Sequence, residues 1–455
     1  MKTIRKFKSS PLQKLALMVI LLATATLHAQ GEQLTLKDAI KYALQNKAEA
    51  KKARLDVENS EYKIQEIRAL ALPTITGNGN LTYNPILQQN ALPGDFFGAP
   101  GTTILAPLGQ NWVSTAGVSL EQNIFDQTVF TGLKAAKSTR EFYQVNAQLT
   151  DQEVIERVAN NYYQVYVLRE QLNVLNDNYA NNVKVRDIIK GQYENGLARK
   201  IDLDRINVNV SNVSAAKNRV VNSLQQQENA LKFYIGMPMN TSIIFPESEF
   251  EVAPQALNEA PDVTQRLEYQ LLKKQEELYY YQKKAYQAEY YPTLSLNANY
   301  NYLGQGPDMP WFKKPADGTY WTDYSAIALN LRIPIFNGFG TRSRVRQANV
   351  DLKKVAVDLE DTKIALDMQY ANAVSQTNTS LVNIENQKEN MELAEDVRNN
   401  TQNNYQNGLS PLTDVLDAEN SYIAAQNSYI NAVLDFKLAE IQLLKAKGTL
   451  NTLTN

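Results

Sequence analysis

Leu294-Ser295-Leu296-Asn297-Ala298-Asn299-Tyr300-Asn301-Tyr302 alternates without a break: every even position is apolar or aromatic and every odd one is Ser or Asn. A strict period of two is a β-strand with one apolar face, and a tilted strand needs about 9–11 residues to cross a bilayer. An earlier stretch has the same form. Ile75, Gly77, Gly79, Leu81 and Tyr83 alternate there with Thr76, Asn78, Asn80 and Thr82. Each strand has a partner downstream, at residues 113–125 and 324–336. These carry Ala116, Val118, Leu120 and Ile124 in the first case, and Ile327, Leu329, Leu331, Ile333 and Ile335 in the second.

Such a face needs either a second sheet or lipid. Everything outside these four segments reads as helix or loop, so lipid is the better partner. Tyr83, Trp112, Tyr300, Tyr302, Trp321 and Tyr324 gather near the strand ends, where interfacial aromatics belong. The loops at 84–111 and 303–323 are rich in Pro and Gly and are expected to face outside. Four strands cannot close. In lipid an open edge leaves backbone groups unsatisfied, so the chain must assemble with copies of itself: two would supply eight strands and three would supply twelve, with room for a pore.

The grammar occurs twice. Leu72-Pro73-Thr74-Ile75 is echoed by Tyr291-Pro292-Thr293-Leu294, Asn123-Ile124-Phe125-Asp126 by Pro334-Ile335-Phe336-Asn337, and Tyr193-Glu194-Asn195-Gly196-Leu197 by Tyr405-Gln406-Asn407-Gly408-Leu409. Asp202 and Asp414 follow the last pair at the same distance. Three landmarks in one order mark a duplication, read as 30–235 and 262–448, with a linker at 236–261 and a tail at 449–455.

Between the strands and the Gly turns lie long helices. Residues 130–190 lack Pro and hold Gly132 and no other Gly until 191, so a continuous helix there would be roughly 90 Å long. Residues 341–405 lack both. After the second turn Val415, Tyr422, Tyr429, Phe436 and Leu443 recur every seven residues, with Ala418, Ala425, Ala432, Ala439 and Ala446 three behind each. That is a coiled-coil seam, its Ala row allowing close approach of a neighbouring helix. In the first copy Leu203, Val210, Leu224 and Leu231 run beside Ile206, Val213, Val220 and Tyr234, and Lys217 and Gln227 interrupt the rows. The glycines reverse two helical hairpins, whose tips should lie a long helix length from the membrane.

Composition excludes much chemistry. The 455 residues include no Cys and one His, and 46 Lys and Arg balance 48 Asp and Glu. This is no basic nucleic-acid binder. Residues 1–29 combine Lys2, Arg5, Lys6, Lys8 and Lys14 with the apolar run 15–22 and small residues ending at Ala29, the pattern of a cleaved secretory signal. Cleavage would remove His28 and five cations, leaving a net charge near −7 and no imidazole or thiolate for catalysis or metal binding. No cofactor, metal site or enzymatic activity is expected. Ser60/Lys63 and Ser214/Lys217 match Ser-x-x-Lys, but no companion motif accompanies either.

With the paired Asn-Gly-Leu turns, Pro334-Ile335-Phe336-Asn337-Gly338, the Leu36, Asp38, Ala39, Ile40, Tyr42, Ala43 opening and Asp414-Val415-Leu416-Asp417-Ala418, the mature chain resembles the TolC-like outer membrane efflux proteins. The resemblance implies a mixed fold: a homotrimer whose transmembrane β-barrel has twelve strands, four per chain, continuous with a long periplasmic α-helical coiled-coil barrel. It implies a passive outer membrane channel of an efflux or type I secretion system. Gly196-Leu197 and Gly408-Leu409 would dock a periplasmic adaptor coupled to an inner membrane pump, and Asp414 with Asp417 would form an acidic selectivity ring. Family members carry a basic residue two positions after the second turn Gly to lock the tip. Ser410 stands there here, so Arg199, with Asp202 and Arg205 as local pairing partners, is the substitute this sequence offers.

The residues also permit other readings. Three chains would place six carboxylates from Asp414 and Asp417 around a narrow lumen, yet Asp414 is equally an acid favoured at a helix N-terminus. A periplasmic coiled-coil adaptor or scaffold without a pore is the alternative function, but it would need a domain of many short strands. A secreted hydrolase relying on carboxylates would need a pair in a pocket.

Overall fold

The computed structural model describes residues 33–246 and 261–454. The signal sequence read at 1–29 lies outside the described residues, as does most of the linker, 247–260. The elements are α1 (Leu36–Asn46), α2 (Ala48–Ala69), β1 (Thr74–Tyr83), β2 (Gln89–Pro93), β3 (Thr103–Pro107), β4 (Trp112–Phe125), α3 (Gln127–Glu194), α4 (Lys200–Ile235), α5 (Leu267–Ala288), β5 (Thr293–Gly306), β6 (Tyr320–Arg332), α6 (Gly340–Gln406) and α7 (Leu412–Lys447). They form two compact units, one of residues 56–144 and 271–359 and one from the remainder. At 68 and 67 residues, α3 and α6 are each unbroken and roughly 100 Å long. Among the described residues no helix is long and apolar enough to cross a membrane.

The first unit holds an antiparallel sheet in the order β1-β4-β5-β6. Directly opposed residues share a face. Ile75 pairs with Leu120, Leu120 with Ala298 and Ala298 with Ile327. One residue on, Thr76 pairs with Ser119, Ser119 with Asn299 and Asn299 with Ala326. All four alternations thus fall in phase, giving one mostly apolar face and one mostly polar face, the latter carrying Glu121 and, at the strand end, Arg332. The apolar face is open: Ile327 and Leu329 are 80% and 67% exposed. The outer edges of β1 and β6 have no partner strand among the described residues.

Three expectations are corrected. The last strand runs over Tyr320–Arg332 and not 324–336, because Pro334 has no N–H for the ladder, so Ile333 and Ile335 fall beyond it. The stretch 84–111 contains the β2–β3 hairpin, and β5 continues to Gly306, leaving a connection of 307–319. Tyr324 faces the other way from the other aromatics: it pairs with Asn301, on the polar face.

The helical unit is built on the heptad rows. Val415, Ala418, Ala432, Phe436, Ala439, Leu443 and Ala446 of α7 are all buried, as are Ile206, Val210, Val213 and Leu231 of α4. Gln227, which breaks the α4 row, donates to Asn161 Oδ1 and Gln164 Oε1 of α3 at 2.9 and 2.7 Å, replacing an apolar contact with a satisfied polar one. A main cluster joins Ile40, Val158, Leu231, Ile235, Phe245, Ile441 and Leu450. The last of these lies in a short 3-10 helix, so the segment read as a tail packs against the core. Gly236 is required twice. It ends α4 at φ +75°, and a Cβ there would come within 3.1 Å of the Asn46 backbone.

The hairpin tips as candidate functional site

Both hairpins end in the same motif. Leu197 N–H bonds the Gln192 carbonyl at 2.8 Å and Gly196 N–H bonds that of Tyr193 at 3.0 Å; Leu409 and Gly408 bond Asn404 and Tyr405 at 2.8 and 2.9 Å. This is a Schellman ending with glycine at φ +75° in each. The preceding asparagines seal it, Asn195 Nδ2 reaching the Gly191 carbonyl at 2.7 Å and Asn407 Nδ2 that of Asn403 at 2.9 Å. A Cβ on either glycine would meet nothing within 4 Å, so the backbone angle alone demands glycine. The turns leave Leu197 and Leu409 projecting, 81% and 76% exposed.

Just behind, Ile189, Ile206, Val210 and Leu412 bury one another, with Tyr179, Leu203, Tyr405 and Leu416 around them. The two tips are therefore one packed body. Lys200, Asp204, Arg205, Leu416, Asp417 and Asn420 line an open groove of about 660 Å³ between α4 and α7. Asp414 and Asp417 are exposed, while Leu412, Val415 and Ala418 beside them are buried, which holds both carboxylates on the solvent side of α7. Asp414 also sits in the first turn of α7, where the helix dipole favours it.

Of the residues read as a lock, Arg199 and Asp202 meet: Nε and Nη2 donate to the two carboxylate oxygens at 2.9 and 3.2 Å. Asp202 does not pair with Arg205, because Arg199 at the head of α4 already occupies both oxygens; Arg205 turns into the groove. Ser410 hydrogen-bonds inward, its Oγ donating to the Thr401 carbonyl at 3.3 Å.

A second group escaped sequence reading. Arg398 of α6 lies 4.2 Å from the Tyr422 ring centroid and donates to Glu395 at 3.2 Å. Near it Glu419 lines a groove of about 320 Å³ with Asn182, Val185 and Gln402. Burial pushes the Glu419 carboxyl above its ordinary value, and the Arg398 guanidinium offsets part of that rise. In α3, Asn182 bonds Asn178 and accepts from Asn209 of α4 at 2.7 Å, with Asn178 and Asn182 both buried. Apart from Tyr422, which belongs to the heptad row of α7, these residues lie in no motif, and a charged or amide side chain carries no period that reports its partner.

In the sheet unit the strand-end aromatics pair. Tyr83 and Trp112 are opposed with centroids 4.7 Å apart, and Tyr302 stacks on Trp321 at 4.9 Å. Trp321 also covers Gly304, where a Cβ would lie 2.6 Å from the indole. The Tyr300 hydroxyl donates to Asp323 at 3.1 Å. Among the described residues no group of three or more His, Cys, Asp or Glu is placed to hold a metal ion.

The outer membrane efflux protein family matches the chain over residues 39–237 and again over 252–449. Outer membrane protein TolC of Vibrio cholerae is 23% identical over 344 residues, 74% of this chain and 77% of the relative. Outer membrane efflux protein BepC of Brucella suis is 22% identical over 424 residues, 91% and 85% of the two. Among solved structures, the outer membrane protein VceC of Vibrio cholerae superposes with a TM-score of 0.71 at 19% identity, covering 91% of this chain and 96% of that one. The open state of the MtrE outer membrane channel of Neisseria gonorrhoeae gives 0.67 at 18% identity, covering 91% and 88%. With both halves matched and the fold shared, this chain belongs to the outer membrane efflux protein family and is an outer membrane channel for efflux or secretion.

Proposed function

We propose that three copies of the chain close one twelve-stranded barrel in the outer membrane, with the helical unit in the periplasm. The carrying observation is the four-stranded sheet with two unpaired edges and an exposed apolar face. Lipid suits the face, but the open edges are tolerable in lipid only if β1 of one copy pairs with β6 of the next. The helices support the same assembly. Val350, Val357 and Ile364 of α6 recur every seven residues and are each at least half exposed, as are Leu55 and Tyr62 of α2 and Ile201 and Val208 of α4. These are apolar seams in search of a neighbouring copy.

The channel conducts passively and catalyses nothing. Its tips, Gly196-Leu197 and Gly408-Leu409, meet a periplasmic adaptor that couples it to an inner membrane pump, and Asp414 and Asp417 bias the narrow end toward cations. Arg199, Asp202, Arg205 and Ser410 shape the closed tip. Detergent-extracted protein should migrate as a heat-modifiable oligomer and conduct ions across planar bilayers. A water-soluble monomer with no affinity for bilayers would defeat this reading.

A further inference from the structure

We propose that the apolar side of the strand–helix junction is a binding collar for the headgroups of anionic phospholipids, formed by Lys134 and Lys137 of α3 and Arg342 and Arg346 of α6. The inference rests on the sheet being embedded in a membrane.

After a bulge at 123–125, Phe125 pairs with Leu294, which pairs with Leu331, placing Phe125 at the end of the apolar face. Its ring centroid lies 6.2 Å from that of Phe130, in the first turn of α3, so the apolar surface continues onto the helix. Phe130, Lys134 and Lys137 are spaced i, i+4, i+7 and form one stripe. The opposite stripe faces α2: a Cβ on Gly132 would touch Ile67 at 3.5 Å, Ala136 is buried, and Arg140 bonds Glu61 at 3.1 Å. Lys134 and Lys137 therefore follow Phe130 to the side that lipid would cover.

Arg342 and Arg346 lie 212 residues after Phe130 and Lys134, the spacing that separates Gly408 from Gly196. At the same spacing from the α2-facing Gly132 and Ala136 lie Arg344, paired with Glu289, and Ala348, which is buried. The two basic stripes thus occupy matching sides of the two helices. Beside the second, Phe336 and Phe339 pack edge to face at 5.4 Å and are 74% and 60% exposed. Phe339 has φ +63°, a left-handed conformation unfavourable for a bulky side chain, which the junction holds nonetheless.

Charge pairing at the junction is lopsided. Lys134, Lys137, Arg342 and Arg346 are exposed and have no hydrogen bond or ion pair among the described residues. The carboxylates around them are engaged: Asp126 accepts from Thr128, Glu141 from Lys274, and Glu289 from Thr341 and Arg344. Exposed aromatic rings followed within two turns by uncommitted cations match the boundary between acyl chains and phosphodiesters. Each cation near an anionic lipid surface is worth on the order of fivefold in affinity.

The test is the full chain, purified as its oligomer and reconstituted in nanodiscs of equal phosphatidylcholine and phosphatidylglycerol. Lipids retained on the protein after release are counted by native mass spectrometry. We expect phosphatidylglycerol to be enriched on the order of tenfold, the enrichment to vanish in Lys134→Gln/Lys137→Gln/Arg342→Gln/Arg346→Gln, and to persist in Lys388→Gln and in excess inorganic phosphate. The charge-keeping variant Lys134→Arg/Lys137→Arg/Arg342→Lys/Arg346→Lys should retain it even if the glutamine variant assembles poorly. Equal retention of both lipids, loss of enrichment in the charge-keeping variant, or displacement by phosphate would overturn the collar while leaving the channel reading intact. Failure to enter nanodiscs of either composition would overturn both.

Discussion

Arg199 grips both carboxylate oxygens of Asp202 within the first turn of one helix. The pair is local, joining nothing beyond α4, and the Arg199 side chain is 73% exposed. Water reaches the guanidinium freely and screens much of the pair, although the Asp202 side chain is only 16% exposed. Arg199→Ala should leave the thermal melting curve of the detergent-solubilised protein unchanged within error, and should not by itself raise single-channel conductance. A large conductance increase would mean that Arg199 reaches a neighbouring copy in the assembled tip.

The turn glycines should behave otherwise. Each holds φ +75° with free space around it, so Gly196→Ala or Gly408→Ala costs about 1–2 kcal/mol, the left-handed penalty alone. Asn at either position should cost less. Denaturant unfolding followed by circular dichroism measures both; equal loss for Ala and Asn would point to a steric cause.

Adjacent residues of β6 test the facing of the sheet. Leu329 lies on the apolar face opposite Leu296, and Ala328 on the polar face opposite Asn297. Leu329→Arg should destabilise the inserted barrel by about 2–4 kcal/mol, whereas Ala328→Arg should insert and alter conductance. Folding into vesicles as a function of urea measures both, and a larger penalty for Ala328→Arg than for Leu329→Arg would mean that the faces are reversed.

Glu419 gives the tip a pH dependence. Burial raises its carboxyl above the ordinary 4.5, so the folded state prefers the proton. Its contribution to stability is complete below that ordinary value and is lost as pH rises through the folded one. Glu419→Gln keeps a neutral side chain and should therefore melt higher than wild type at pH 7, with the difference closing at pH 4. A difference of constant size across that range would rule out the titration of Glu419 as its source.

The acidic pair is tested by transport. Asp414→Asn/Asp417→Asn should reduce cation preference in planar bilayers under a salt gradient. Asp414→Asn alone should also remove a favourable helix-dipole charge, lowering stability by about 0.3–1 kcal/mol. Unchanged selectivity with lowered stability would leave Asp414 only its place at the helix start.

Patterned residues made much of the architecture legible before any coordinates. The alternation at Leu294–Tyr302, the heptads through Val415 and Phe436, and the paired Asn-Gly-Leu turns are local signals, because strand pleat, helix pitch and positive φ constrain neighbouring residues directly. Strand ends were less legible: Tyr324 reads as one more interfacial aromatic until its pairing with Asn301 puts it on the polar face. Register depends on a partner strand some twenty residues away, and a single step of register reverses the face.

Tertiary structure alone decided which polar side chains meet. That Glu419 lies near Arg398, and that Lys134 and Arg342 remain unpaired while Glu141 and Glu289 do not, follow from helices packing against distant helices. Apolar burial repeats with the backbone period and leaves its mark along the chain. An ion pair needs only two side chains brought within reach, and no local pattern encodes that distance.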